Sequence, residues 1–140
     1  MPYLLVYPMF AMVVLTVIVG LVMLKIRIQA VRTGGLDPRY FKTYNVGTPP
    51  ESVVQSGRHF TNLFEVPVLF YVACLTAMMI GIENTATVPL AWVFVVSRLA
   101  HAWVHLGSNK IFLRMAFFLA GMAAVLALWT VIVIHVATLN

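Results

Sequence analysis

A few side chains in this sequence stand where charge is costly. Arg58, Asn62 and Glu65 are spaced i, i+4, i+7, which puts all three on one face of a helix. Arg98, His101 and His105 follow at i, i+3, i+7, again on one face, and Arg114 comes shortly after. All of them fall within or beside long apolar runs. A charged residue at the centre of a membrane helix costs about 2.5–3.5 kcal/mol on the insertion scale, and such groups are functional by default. Together the two stripes describe a polar, mainly cationic pocket. His101 and His105 also form a His-x-x-x-His pair, which can hold a metal on a helix face. Arg98 beside it and a single carboxylate disfavour a dication, so no metal is assigned.

Each of these groups also has a plainer reading. Arg58 can snorkel to the headgroups. Arg98 lies about 12 Å from the inner end of its helix at 1.5 Å per residue, a longer reach. Glu65 can serve as the structural partner of Arg58 or Arg98. His59 adjoins Arg58 but faces another way, and His135 reads as interfacial. Tyr3, Tyr7, Trp92 and Trp129 read as interface or packing groups. Cys74, the only cysteine, reads as a small core residue and allows no intrachain disulfide. Pro67, two residues after Glu65, frees the carbonyl of Leu63 and predicts a kink.

The elements that must position these residues follow from composition. The 140 residues are 62% hydrophobic and 9% charged, with a mean hydropathy of +0.98. Soluble domains run at about 45–50% apolar and about 25% charged. A disordered chain, a coiled coil and an ordinary soluble domain are excluded. The +5 net charge reflects few acids rather than a dense basic stripe, so no nucleic-acid partner is expected. The length suits four membrane helices of about 20 residues each. The expected fold is all-α, a four-transmembrane-helix antiparallel bundle in one domain, with spans near 3–27, 49–82, 87–106 and 111–137.

Residues 1–24 carry no charge. No basic residue precedes this run and no cleavage site follows it, so it is expected to remain as the first span. Thr48-Pro49-Pro50-Glu51 reads as a helix start, with Thr48 as N-cap and Pro49 in the first helical position. The second helix then runs to about Gly81, roughly 50 Å, more than the apolar core needs. The short link Glu83-Asn84-Thr85-Ala86 makes the second and third helices antiparallel neighbours, and Gly107 to Lys110 forms the next turn. Lys25, Arg27, Arg32, Arg39 and Lys42 crowd the first loop, and Lys110 lies in the third. The second loop has only Glu83. The positive-inside rule puts loops one and three in the cytoplasm and both termini outside. Every polar residue of the two stripes then falls at the cytoplasmic end.

Arg58-x-x-x-Asn62-x-x-Glu65, followed by a proline and an apolar run, resembles the second-helix signature of the MAPEG superfamily, the membrane-associated proteins of eicosanoid and glutathione metabolism. Arg98-Leu99-Ala100-His101, then His105-Leu106-Gly107, then Arg114 resembles the third-to-fourth-helix segment of its microsomal prostaglandin E synthase branch. The resemblance covers essentially the whole chain. It implies a homotrimer that binds glutathione between neighbouring subunits near the cytoplasmic face. It also implies that Arg58, Asn62, Glu65, Arg98, His101 and His105 are glutathione ligands. Arg114 matches the arginine thought to stabilise the glutathione thiolate. A basic residue ending the first helix also contributes in the family; Arg27 is the best match, with Lys25 and Arg32 as alternatives. The short first loop and compact ends resemble bacterial members, which implies a bacterial inner membrane.

That assignment is chemically coherent. Arginines suit the two carboxylates of glutathione through bidentate hydrogen bonds, and Glu65 suits its ammonium. A thiol of pKa about 8.5 is shifted toward the reactive thiolate by a nearby guanidinium. A lipophilic electrophile can enter from the membrane lipids. The sequence departs from several characterised members in having His105 for a tyrosine and Val66 for an aromatic. Met115, after Arg114, lacks a hydroxyl proposed to help in one branch. The expected function is a membrane-embedded glutathione-dependent transferase or peroxidase. A non-catalytic trimeric scaffold or lipid-binding subunit is the alternative. A small anion transporter ranks third, because no polar stripe continues into the outer half of any helix.

Overall fold

A computed structural model describes residues 3–83 and 86–139. Six helices follow in order: α1 (Val6–Arg32), α2 (Tyr40–Thr43), α3 (Glu51–Asn62), α4 (Val66–Met79), α5 (Thr87–Leu106) and α6 (Ile111–Leu139). There is no strand among the described residues. Four segments are long and apolar enough to cross a membrane: Val6–Arg32, Glu51–Met79, Thr87–Leu106 and Ile111–Thr138. Asn84 and Thr85, the middle of the expected second link, lie outside the described residues.

α5 is the central helix, packing against α1, α3, α4 and α6. Its buried stripe starts at Thr87 and Ala91, passes Phe94 and Arg98, and ends at His101 and His105. The upper part is a conventional core: Phe70 of α4 stacks on Phe94 with ring centroids 4.4 Å apart. α1 and its N-cap bury Leu5, Pro8, Met12, Leu15 and Val19. That alternating three- and four-residue spacing is the seam of a left-handed helix pair. The rest of α1 exposes Phe10, Val17, Ile18 and Leu21, as a lipid-facing surface does. On α6, Gly121 lets the helix approach α5 closely. A Cβ there would stand 2.9 Å from Ser97 Oγ and 3.5 Å from Arg98 Cδ.

Several element ends differ from the sequence expectation. α1 continues past residue 27 to Arg32. Lys25 and Arg27 mark the edge of the apolar run, whereas a helix can continue into a polar layer until Gly34. α3 begins at Glu51 with Pro50 as N-cap, not with Thr48 as cap and Pro49 inside. Proline bars its predecessor from helical geometry, so Pro50 excludes Pro49, and Pro50 itself is extended at ψ 146°. At the far end of this span, Gly81 takes φ +73° and the Ile82 N–H bonds back to the Ala77 carbonyl at 2.9 Å. That six-to-one bond with a left-handed glycine closes the helix.

Within the second span the expected kink is a full interruption. Leu63, Phe64 and Glu65 form a turn, with N–H bonds reaching back only three residues, to Phe60, Thr61 and Asn62. Glu65 has φ −95° and ψ −88°, and α4 restarts at Val66 with Pro67 second. A proline in a first turn loses nothing, since its N–H would be unpaired anyway. The first loop holds α2, which the sequence reading left as turn. Asp37 caps this turn, accepting from the Arg39 N–H at 2.8 Å. The side-chain bond from Arg39 also holds the Asp37 carboxyl below its ordinary range. Tyr40, Phe41 and Tyr44 pack edge to face, and the Arg27 guanidinium lies 5.2 Å from the Phe41 centroid.

Candidate functional site

The polar stripes meet where α3, the end of α5 and the start of α6 converge. A cavity of about 380 Å³ opens there, within the usual range of roughly 300–1,000 Å³ for small-ligand sites. Its polar wall is Arg58, Asn62, His101, His105 and Arg114; Ile111, Met115 and Phe118 form the apolar wall. No carboxylate lines it.

α5 and α6 set this geometry through their connecting turn. Asn109 adopts φ +48°, and its N–H donates to the Val104 carbonyl at 2.8 Å, closing α5. Asparagine tolerates that left-handed conformation better than most residues. Its side-chain oxygen then accepts a bond from Arg114 Nη1 at 3.0 Å. His101 Nδ1 lies 2.9 Å from the Arg114 carbonyl. A carbonyl only accepts, so Nδ1 donates and the other ring nitrogen keeps its lone pair. The turn thus fixes the guanidinium of Arg114 and the tautomer of His101 together.

Arg98 takes a different position from the others. It is fully buried, does not line the cavity, and stands behind Asn62. Its Nη2 donates to Asn62 Oδ1, and its guanidinium lies 5.8 Å from the Phe118 centroid. Its Nε and Nη1 have no partner among the described residues. Asn62 turns its amide the other way, donating to Glu65 Oε2 at 3.1 Å. Asn62 therefore bridges Arg98 and Glu65. Neither Arg58 nor Arg98 pairs directly with Glu65, and the one ion pair among the described residues joins Arg39 and Asp37 at 2.8 Å.

Glu65 and Arg27 lie apart from this cavity. They line a second one of about 480 Å³, with Tyr40, Tyr44 and Thr61. Arg58 and Asn62 line both cavities, so α3 carries one on each flank. The interruption at residues 63–65 explains the split, because Glu65 sits in the turn and leaves the face that a continuous helix would give it. Lys25 and Arg32, the alternatives to Arg27, are exposed and line neither cavity.

The sequence matches the MAPEG family over residues 5–134. The chain belongs to the MAPEG family. Comparison with curated proteins and with solved structures returned no match. In this MAPEG chain the sequence reading missed His59, Gln55 and Asn109. His59 is fully buried, and its Nδ1 lies 3.0 Å from His105 Nδ1. Gln55 Nε2 donates to the His105 carbonyl, tying α3 to the end of α5. In the structure Val53, Ser56 and Leu63 trace a buried stripe at helical spacing and His59 falls on it, but the polar Ser56 hides that stripe in the sequence.

Proposed function

We propose that the chain is a membrane-embedded glutathione-dependent transferase or peroxidase for lipophilic electrophiles. The observation that carries this reading is the composition of the first cavity. Two guanidinium groups and two imidazoles line it without a carboxylate, and Ile111, Met115 and Phe118 close the other side. Such a site holds an anionic thiol peptide beside an apolar reactant.

Arg58 and Arg114 take the carboxylates and the thiolate, because a guanidinium forms short, charge-assisted bonds to both. Arg114 stands beside Met115 and Phe118 in the cavity wall, and its guanidinium favours the thiolate form of a thiol bound there. Asn62 presents its amide to the peptide, held from behind by Arg98. Glu65 and Arg27 serve the same ligand from the second cavity. A homotrimer supplies the geometry: a neighbouring copy that sets its first cavity against this chain's second one unites both groups of residues. The positive-inside pattern of the loops supports a cytoplasmic position for this end of the bundle.

The test is conjugation of glutathione to a lipophilic electrophile by the purified protein in detergent. Wild type is expected to turn over. Arg114→Ala is expected to lose turnover while retaining its thermal transition and oligomeric size. Equal turnover in Arg114→Ala removes the assigned role of Arg114, and no turnover by wild type with any of a panel of electrophiles removes the enzymatic reading. The scaffold alternative predicts that Glu65→Ala disrupts assembly while Arg114→Ala changes nothing measured.

A further inference from the structure

Behind the cavity wall, α3 and α5 bring three buried histidines together. His59, His101 and His105 each offer a ring nitrogen, and these atoms lie within 4.8 Å of one another. The rings of His59 and His101 stack with centroids 5.5 Å apart, and His105 stands edge-on to His59 at 4.8 Å. We propose that these three imidazoles form a binding site for a first-row transition-metal ion of the imidazole-preferring class, zinc or copper, with its fourth coordination position open to the cavity.

Four observations lead there. An ion bound at about 2.0–2.1 Å by each of three nitrogens needs them roughly 3.4 Å apart. His59 Nδ1 and His105 Nδ1 are 3.0 Å apart, and the three ring nitrogens together lie within 4.8 Å of one another, near that spacing. His101 already has the outer contact typical of a metal ligand. It donates Nδ1–H to the Arg114 carbonyl at 2.9 Å, which leaves the other nitrogen unprotonated. His59 is fully buried and its Nδ1 has no partner among the described residues other than His105 Nδ1, so no backbone group competes with an ion for that nitrogen. Finally, His101 and His105 line the first cavity and His59 does not, so the ion has a protein side and an open side.

The positive neighbours decide what fills the open position. Arg98 is committed to Asn62, and Arg114 to Asn109. Both raise the local potential, which opposes a bare dication, so the ion binds together with an anion from the cavity, a hydroxide or a thiolate, as its fourth ligand. Three neutral imidazoles and an open position are also the ligand arrangement of catalytic rather than structural zinc.

The experiment uses the full chain in detergent, stripped with chelator and kept free of thiols, so it does not depend on the glutathione reading. Zinc(II) is added, excess is removed, and bound metal is counted by elemental analysis. Cobalt(II) replaces zinc for visible spectroscopy. Wild type is expected to retain one zinc per chain and to show intense tetrahedral cobalt bands. His59→Gln and His105→Gln are expected to lose both, whereas His135→Gln retains them. Substoichiometric zinc in wild type, or undiminished zinc in His59→Gln, overturns the proposal. If His59→Gln does not fold, X-ray absorption of the wild-type zinc adduct decides. Three imidazole nitrogens at about 2.0–2.1 Å support the site, and a shell of oxygens without imidazole overturns it. Failure here with intact glutathione turnover leaves the enzymatic reading standing.

Discussion

Replacing Asn62 with leucine tests the polar architecture behind the cavity. Arg98 is fully buried, and Asn62 Oδ1 is its one hydrogen-bond acceptor among the described residues. Leucine keeps the volume and removes the acceptor. A lost hydrogen bond to a charged group costs about 1.5–3 kcal/mol, and stranding a fully buried charge costs about 3–5 kcal/mol. Asn62 is half-buried and lines both cavities, so water reaches part of the gap. The expected loss is therefore at the lower end, about 2–3 kcal/mol. At roughly 2–4 °C per kcal/mol for a chain of this size, Tm falls by about 5–10 °C. Arg98→Met alone costs little, because Asn62 then turns to water. In the double variant no buried charge is stranded, and more than half of the Asn62→Leu loss returns. The assay is a double-mutant cycle of thermal unfolding in detergent, followed by tryptophan fluorescence. Additive losses in the double variant, or an unchanged Tm in Asn62→Leu, refute the bridge.

Two further predictions concern packing and the turn. Gly121→Leu drives a side chain into Ser97 and Arg98; overpacking of this kind costs about 1–3 kcal/mol, measured as a lower Tm, and a Tm equal to wild type contradicts the close approach of α5 and α6. Asn109→Gly keeps the left-handed turn but frees Arg114, so its Tm stays near wild type while turnover drops. Asn109→Ala loses the turn as well and falls a further 1 kcal/mol or so in stability; equal stability of the two variants contradicts the strained conformation assigned to residue 109.

The four spans were legible because each is a long run without charge between short polar links. The ends of the helices were less so. The chain marks the edge of the apolar core with Lys25 and Arg27, and nothing stops α1 until the residues just before Gly34. Pro67 signalled a distortion, but the three-residue turn before it depends on how α3 and α4 each pack. That turn set Glu65 beside Arg27 in the second cavity, which Arg58 and Asn62 also line, and away from His101, His105 and Arg114. Convergence of Arg58, His101, His105 and Arg114 was legible because antiparallel neighbours bring the start of one helix to the end of the next. His59 was not, because its position beside Arg58 suggested a separate face. Packing of α3 on α5 turns that face inward.

Ionisation of glutathione at the site tests the central claim most directly. A guanidinium about 4 Å from a thiolate contributes about 4 kcal/mol at an effective dielectric constant of 20. Arg114 is half-buried, so solvent screens part of that. A fall of one to two units in the thiol pKa is a reasonable share, about 1.4–2.7 kcal/mol. Thiolate absorbance of glutathione titrated with the detergent-solubilised protein against pH reads this shift. Wild type is expected to show a thiolate that persists about one to two units below the pKa of free glutathione, and Arg114→Ala is expected to return it to the free value. A glutathione titration curve identical with and without wild-type protein, at saturating protein, contradicts the account.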